Sequence, residues 1–266
     1  MTGMPADTAN TAVLDVRNLT IRVARPAGAI TIIDDVSFQL QPEETLCIAG
    51  ESGSGKSVTA LSIMGLLPPS VRIGGGEILL GQQDLLTLSD RQMQKIRGGE
   101  IAMIFQEPMT SLNPVMTIGR QLVEAISTHQ KVYGGAARRI AISSLDAVRM
   151  SESSRRMKQY PHELSGGMRQ RVMIAMALSC NPGILIADEP TTALDVTIQA
   201  QTLTLMNELK RDFKTAIILI THDMAVVAEM ADRVIVMNEG KIVESQTVID
   251  LFERPRETYT KTLLAA

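Results

Sequence analysis

Apolar and β-branched residues dominate two stretches near the start of the chain, Val13 to Val23 and Ile30 to Leu40. Stretches of this composition are typical of β-strands. The residues between them, Arg25-Pro26-Ala27-Gly28, favour a turn. The pattern therefore predicts an antiparallel hairpin at the start of the chain.

A short apolar run from Thr45 to Ala49 comes next, followed by a glycine-rich turn. A stretch of helical character then extends from Lys56 to Leu67, and Pro68-Pro69 closes it. Strand, loop and helix in this order are typical of α/β folds that bind nucleotides. We expect this unit to form the centre of the molecule.

The middle of the chain, from Met116 to Tyr160, lacks runs of strand character and is bounded by Asn113-Pro114 and Pro161. Its apolar residues recur at the spacing of helix faces: Ile118, Leu122 and Ile126, then Ile140, Leu145 and Val148. The segment is therefore predicted to be a mostly helical insert.

Alternation of strand and helix resumes after the insert. The predicted elements are the strand Ile184 to Ala187, a helix from about Val196 to Phe213, the strand Ala216 to Ile220, and a hairpin from Arg233 to Val243 that turns at Asn238-Glu239-Gly240. The chain is thus predicted to fold as one α/β domain over residues 1–266. Its core would comprise about residues 1–106 and 165–266, and its helical subdomain about residues 107–164.

Composition and charge narrow the range of possible functions. Among 266 residues 45% are hydrophobic and 21% charged, and the net charge of -3 is dispersed, so nothing favours nucleic acid as a partner. The longest apolar runs, such as Ala216 to Ile220, are far shorter than the roughly 20 residues of a membrane-spanning helix. The start of the chain carries no secretory signal, which predicts a cytoplasmic protein.

Cys47 and Cys180 lack metal-ligand spacing and are expected to be buried thiols without chemistry.

Residues 50–57 point to a specific chemistry. They fit the pattern G-x-x-x-x-G-K-[ST], and they are Gly50, Glu51, Ser52, Gly53, Ser54, Gly55, Lys56 and Ser57. Glycines let backbone N–H groups approach phosphate oxygens closely, and the following helix directs its positive end at the same anion. Lys56 is then expected to reach the β- and γ-phosphates of a nucleotide, and Ser57 to offer its hydroxyl to Mg²⁺. We therefore predict a phosphate-binding loop.

An acidic pair, Asp188-Glu189, ends the predicted strand that begins at Ile184. The carboxyl ends of parallel strands form the edge at which open α/β folds bind ligands. Because successive strand residues point in different directions, we expect Asp188 to hold Mg²⁺ while Glu189 faces the γ-phosphate and polarises the attacking water. The pair thus predicts nucleotide hydrolysis.

The tract Leu164-Ser165-Gly166-Gly167-Met168 lies shortly before the acidic pair. Together with the phosphate loop, Gln106 and His222, it resembles the ATP-binding subunits of ABC transporters, and the resemblance covers nearly the whole chain. The family's usual final glutamine of the tract is replaced by Met168. In that family the tract opens a helix and contacts the γ-phosphate held by the opposite subunit. The resemblance implies that Ser165, Gly166 and Gly167 bind nucleotide and that a second ATPase subunit, the same or a homologous chain, completes the site.

The same resemblance implies further roles. Gln106 follows the strand-like Ile101 to Phe105 and resembles the glutamine that senses Mg²⁺ and the water. His222 resembles the switch histidine at the γ-phosphate, and Ala193-Leu194-Asp195 resembles the loop that crosses to the partner ATPase. With ATP as substrate and Mg²⁺ as cofactor, the expected catalytic residues are Gln106, Glu189 and His222, and the expected Mg²⁺ ligands are Ser57, Gln106 and Asp188.

One departure concerns the adenine base. The family commonly stacks an aromatic residue on adenine from the hairpin before the phosphate loop, but Arg25 to Ile30 contains none. We therefore expect aliphatic or weaker contact with adenine and less selectivity between ATP and GTP.

Residues 107–114, 159–163 and 259–264 resemble ATPases of the branch that imports oligopeptides, dipeptides, glutathione and nickel. This branch implies two transmembrane permease subunits, an extracytoplasmic solute-binding protein as an indirect partner, and a place on the cytoplasmic face of the cell inner membrane. Residues 107–114 are then expected to face the membrane subunits.

The resemblance favours peptide uptake over nickel or metallophore uptake. A soluble ABC ATPase of DNA maintenance or translation is a less favoured alternative, because such proteins usually carry two ATPase halves or a long coiled-coil insertion. A remnant of a fused importer with two ATPase halves is a further alternative.

Overall fold

The computed structural model of the chain describes residues 12–26, 28–106, 111–192 and 195–265. The strands of these residues are β1 Leu14–Arg25, β2 Gly28–Leu40, β3 Thr45–Ala49, β4 Val71–Leu80, β5 Gln83–Asp84, β6 Ile101–Ile104, β7 Ile184–Asp188, β8 Ala216–Thr221, β9 Arg233–Asn238 and β10 Lys241–Thr247. The helices are α1 Lys56–Ile63, α2 Asp90–Ile96, α3 Ile118–Gln130, α4 Gly134–Ala147, α5 Ser153–Arg156, α6 Gly166–Leu178, α7 Val196–Phe213, α8 Met224–Met230, α9 Val248–Glu253 and α10 Thr258–Ala265.

The predicted hairpin at the start of the chain is confirmed. Strands β1 and β2 pair antiparallel from Leu14 opposite Leu40 to Arg25 opposite Gly28, and they belong to a sheet of order β2-β1-β4-β5. The sequence pattern does not predict β4, because residues 74–76 are three consecutive glycines and glycine weakens a strand. Pairing with β1 along both arms of β4 overrides this local preference.

The second sheet has the order β10-β9-β3-β8-β7-β6. Strands β6, β7, β8, β3 and β9 run parallel, whereas β10 pairs antiparallel with β9. Every residue of β3, β7 and β8 is buried, as expected for parallel strands covered on both faces. The fold is therefore the predicted α/β class with an antiparallel region at its start.

Two apolar cores lie on opposite faces of the parallel sheet, since neighbouring strand residues point to opposite sides. Cys47 of β3 and Leu219 of β8 pack with the helices α3, α4, α6, α7 and α8. Ile48 and Ile220, the next residues of the same strands, pack instead with α1 and the antiparallel sheet. The parallel sheet is thus the middle layer of the molecule.

Helix α1 ends at Ile63, so the prediction that it extends to Leu67 is wrong. Gly65 takes a left-handed conformation with φ +60°, and Leu66 N–H donates to the carbonyl of Leu61 at 2.8 Å. This arrangement stops the helix before the Pro68-Pro69 pair is reached. The phosphate loop is nevertheless followed directly by a helix, as predicted.

The helical insert is confirmed as the helices α3, α4 and α5. Helices α3 and α4 pack on each other and on α6, and α6 in turn packs on β6. Leu122 and Leu145 of the insert belong to the same apolar core as Leu185 of β7. The boundaries of the helical subdomain, residues 107–164, stay a prediction, while α6 provides the contact between these helices and the sheet.

The two cysteines differ in their surroundings. Cys47 is fully buried in β3, as predicted, but Cys180 is only half-buried. Cys180 follows the end of α6, where the chain has reached the surface, so the expectation of a buried thiol is wrong for this residue.

Within the described residues, no helix combines the length and the apolar character needed to cross a lipid bilayer.

Substitution of Leu122 by alanine tests the shared core. Leu122 is fully buried between α3 and its neighbours, so we expect Leu122→Ala to lower the free energy of unfolding by about 2–5 kcal/mol. Urea denaturation would measure this change. The control Ile249→Ala removes an exposed aliphatic side chain from α9 and should change stability by less than about 0.5 kcal/mol. Equal effects of the two substitutions would contradict the packing described.

Candidate nucleotide-binding site

The phosphate loop, residues 50–57, connects the end of β3 to the start of α1. Gly50 has φ +148°, and a side chain there would collide with the backbone oxygen of Met237 in β9. The loop is also held from the following turn, because Gly240 N–H donates to the carbonyl of Ser54 at 3.0 Å. The strand order places β9 next to β3, so the parallel sheet itself supports the loop.

Lys56 is the first residue of α1, and its side chain folds back over the loop. Its Nζ donates to the carbonyl oxygens of Gly50 at 2.7 Å and Glu51 at 2.8 Å. Burial lowers the pKa of Lys56, while the carboxylates of Glu189 and Asp188 act in the opposite sense. The loop therefore surrounds a buried ammonium group with its own carbonyl oxygens.

Ser57 and Asp188 lie together although 131 residues separate them. Ser57 Oγ donates to Asp188 Oδ1 at 3.1 Å. Burial raises the pKa of Asp188; the Ser57 hydroxyl opposes this rise, the charge of Glu189 adds to it, and Lys56 opposes it. Two hard oxygen atoms thus converge beside the phosphate loop.

This oxygen pair fits Mg²⁺ that arrives with a nucleotide. Among residues 12–26, 28–106, 111–192 and 195–265, no group of three or more His, Cys, Asp or Glu side chains could hold a metal ion. Mg²⁺ sites of nucleotide enzymes commonly use one or two protein oxygens, with phosphate and water oxygens completing the shell. Ser57 and Asp188 match that donor set.

Glu189 follows β7 in a left-handed conformation with φ +46°, which is uncommon for a residue other than glycine and is typical of functional turns. Its Oε2 accepts hydrogen bonds from Gln106 Nε2 at 2.9 Å and Thr192 Oγ1 at 2.8 Å. His222 Nδ1 lies 3.0 Å from Oε1. Burial acts to raise the pKa of Glu189, but the hydrogen bonds from His222 and Thr192 outweigh it, so the pKa lies below its usual value.

A cleft of about 260 Å³ collects most of the predicted residues. Its lining comprises Ile32, Ser52, Gly53, Gly55, Lys56, Ser57, Val58, Gln106 and Glu189. His222 joins through Glu189, and Asp188 joins through Ser57. The structure therefore brings together the phosphate loop, the acidic pair, Gln106 and His222 at the carboxyl ends of β3, β6, β7 and β8.

The Ser165-Gly166-Gly167 tract lies elsewhere. Ser165 is exposed at the start of α6, where its Oγ accepts a hydrogen bond from Met168 N–H at 3.4 Å. None of the three residues lines the cleft at the phosphate loop. Their predicted contact with nucleotide is not made within this cleft.

Comparison with known proteins identifies the family. Residues 33–192 match the ABC transporter family. The chain belongs to this family. It is 54% identical over 255 residues to the dipeptide transport ATP-binding protein DppD of Bacillus subtilis (strain 168). This match covers 96% of this chain and 76% of that protein. It is 52% identical over 255 residues to the oligopeptide transport ATP-binding protein OppD of Escherichia coli (strain K12), covering 96% of this chain and 75% of that protein.

A solved structure supports the fold assignment. The dimeric post-hydrolysis state of the ATP-binding cassette MJ0796 bound to ADP and Pi matches this chain with a TM-score of 0.77 at 28% identity. The match covers 88% of this chain and 98% of that one. The predicted membership of the ABC transporter family and the predicted fold are both confirmed.

Thr192 is the residue of this ABC transporter site that sequence reasoning missed. Its hydroxyl donates to the same oxygen of Glu189 as Gln106 does. Its place three residues after Glu189, within a run of small residues at the end of a strand, is a signal that could have found it.

In the neighbouring Ala193-Leu194-Asp195 segment, residues 193 and 194 lie outside the described residues, and Asp195 accepts a hydrogen bond from Ile198 N–H at the start of α7.

The base site stays a prediction. Ala27 and residues 107–110 lie outside the described residues. In β2, Ile32 lines the cleft beside the phosphate loop. Ile32 offers the kind of aliphatic surface expected to contact adenine in place of an aromatic ring.

Substitution of Thr192 by valine tests its effect on Glu189. The change keeps the shape of the side chain and removes one hydrogen bond to the ionised carboxylate, so the pKa of Glu189 should rise. A smaller fraction of Glu189 is then ionised at acidic pH, and the acidic limb of the pH profile of kcat/KM for ATP hydrolysis should move to higher pH. The control Thr204→Val removes a hydroxyl bonded only within α7 and should leave the profile in place. A shift to lower pH, or no shift, would contradict the assignment.

Proposed function

We propose that this chain is the ATP-binding and ATP-hydrolysing subunit of an importer that takes up peptides. The observation that carries the proposal is the carboxylate of Glu189, fixed by Gln106, Thr192 and His222 in the cleft that Lys56 also lines. The names of the relatives, which are dipeptide and oligopeptide transport ATP-binding proteins, support peptides as the cargo.

The proposed hydrolysis depends on charge neutralisation and positioning rather than on covalent chemistry. Lys56 would exchange the carbonyls of Gly50 and Glu51 for the β- and γ-phosphate oxygens of ATP. Ser57 and Asp188 would hold Mg²⁺, with Gln106 as the third expected ligand. When bound, Mg²⁺ would neutralise further phosphate charge.

Glu189 is the proposed residue that polarises the attacking water. Its lowered pKa keeps the carboxylate ionised at neutral pH, so it can accept a hydrogen bond from water. The donors Gln106 and Thr192 both bind Oε2, which fixes the orientation of the carboxylate. His222 is largely exposed beside Oε1, and in this proposal it would contact the γ-phosphate.

A second ATPase subunit is part of the proposal. Ser165, Gly166 and Gly167 lie at the start of α6, outside the cleft of their own phosphate loop. The first turn of a helix offers unpaired N–H groups and a positive dipole end to an anion. We expect this turn to contact the γ-phosphate of ATP bound to the opposite subunit.

The proposed membrane subunits would dock beside Gln106. An apolar cleft of about 340 Å³ lies there, and its lining includes Leu66, Met103, Phe105 and Met176. Phe105, the residue before Gln106, is 39% exposed. A permease segment seated in this cleft would place the chain on the cytoplasmic face of the inner membrane and would contact the loop that carries Gln106.

Substitution of Glu189 by glutamine tests the hydrolytic role. Glutamine keeps the size of the side chain but cannot act as a base, so we expect ATP hydrolysis by the reconstituted transporter to fall by at least about 100-fold. ATP binding should persist, because Lys56 and the loop are unchanged. The control Glu208→Gln removes an exposed carboxylate that pairs with Arg149, and it should hydrolyse ATP at the parent rate. Hydrolysis at the parent rate by Glu189→Gln would remove Glu189 from the mechanism.

The cargo is tested with the chain and its membrane subunits in liposomes. We expect ATP hydrolysis to rise when the solute-binding protein is loaded with a small peptide and not when it is loaded with Ni²⁺. Stimulation by Ni²⁺ alone would establish the nickel alternative. Absence of stimulation by either cargo, together with failure of membrane subunits to co-purify, would favour the soluble ABC ATPase.

A further inference from the structure

The last described helix of the chain, α10, contacts the phosphate loop. The hydroxyl of Tyr259 accepts a hydrogen bond from the backbone N–H of Glu51 at 3.0 Å. These two residues are separated by 208 positions. Tyr259 lies outside the matched family segment, residues 33–192, and the sequence motifs give it no role in the nucleotide site.

This hydrogen bond acts on the peptide unit that also holds Lys56. The N–H of Glu51 and the carbonyl of Gly50 belong to one planar peptide group. Lys56 Nζ donates to that carbonyl at 2.7 Å, while Tyr259 accepts from the N–H of the same group. The plane is therefore fixed from both sides, by Lys56 at one end and by Tyr259 at the other.

Tyr259 is itself held firmly. The buried carboxylate of Glu244 in β10 accepts hydrogen bonds from the N–H groups of Arg256 at 2.8 Å and Glu257 at 3.1 Å, just before α10. Thr260 and Leu263 are buried on α10, and the Tyr259 ring packs against the apolar core beneath the sheet. The Tyr259 hydroxyl thus has a defined position relative to the loop.

We propose that Tyr259 is a positioning residue for nucleotide binding, which fixes the Gly50–Glu51 peptide and through it the conformation of the phosphate loop that receives ATP. The proposal rests on the proposed function in that the ligand is ATP. Without the hydroxyl, the peptide can rotate about its flanking bonds, and part of the binding free energy must then restore its orientation. Among the described residues, Glu189 is held by Gln106, Thr192 and His222, and Tyr259 takes part in none of these hydrogen bonds, so the hydrolytic step itself should be unaffected.

Substitution of Tyr259 by phenylalanine tests the proposal, since it removes the hydroxyl and keeps the ring in the core. We expect the Kd for Mg²⁺·ATP and the KM to rise about three- to tenfold, the range expected for loss of one neutral hydrogen bond. The kcat should stay within about twofold of the parent value. The control Tyr133→Phe removes a hydroxyl from a tyrosine that is 68% exposed and should change none of these quantities.

Amide hydrogen exchange of the phosphate loop provides a second measurement that requires no nucleotide. The N–H of Glu51 should be protected in the parent chain and should exchange faster in Tyr259→Phe, while thermal unfolding shows both proteins folded. Free exchange of this N–H in the parent would overturn the proposal. Parent affinity in Tyr259→Phe, or an equal loss in kcat and affinity, would also overturn it.

The outcomes separate the proposal from the function on which it rests. If the parent binds Mg²⁺·ATP and Tyr259→Phe binds it equally well, the role of Tyr259 is wrong and the ATPase assignment stands. If the parent binds no nucleotide under conditions in which the Glu51 N–H is protected, the proposed function fails and the nucleotide-binding role of Tyr259 fails with it.

Discussion

The ammonium group of Lys56 is buried, and a buried charge is tolerated only with close polar partners. The carbonyl oxygens of Gly50 and Glu51 supply these partners, so the loop must fold back over the start of α1. This conformation needs glycine at residue 50, where the chain passes against the backbone of β9. It also needs β3 to end where the carboxyl ends of the parallel strands meet. The geometry of the site therefore meets two requirements. The ammonium group of Lys56 must have close polar partners, and the phosphates of a nucleotide must still be able to reach it.

The parallel sheet explains how distant residues meet at that cation. Gln106, Glu189 and His222 follow β6, β7 and β8, and the phosphate loop follows β3. Parallel strands deliver the residues that follow them to one common edge, however long the connections are. The connections are free to differ, which is why a helical insert between β6 and β7 leaves the site intact. That insert packs on α6, and α6 packs on β6, so the added helices still share the apolar core of the sheet.

Residues whose roles depend on local sequence could be predicted from residue types, Gln106 and His222 were predicted only through the family resemblance, and the features that depend on tertiary contact alone could not be predicted. The phosphate loop and the acidic pair are contiguous in sequence, so their chemistry is readable from residue types and spacing alone. The strand β4 has poor local propensity and exists through its pairing with β1. Thr192 is a common residue in a common kind of loop, and only its contact with Glu189 distinguishes it. The half-buried state of Cys180 likewise depends on where α6 meets the surface.

Glu189 connects the proposed partners of the chain to hydrolysis. Its carboxylate receives Gln106 from the loop beside the apolar cleft and Thr192 from the loop that leads to residues 193–195. Under the proposed function, the first loop contacts the membrane subunits and the second contacts the opposite ATPase. A hydrogen bond to a charged group contributes only about 1.5–3 kcal/mol, so either contact can be made or broken by modest binding energies. Both hydrogen bonds are present in the chain by itself. Under the proposed function, movement of either loop by a partner subunit would therefore change the orientation of the water-polarising carboxylate and with it the rate of ATP hydrolysis.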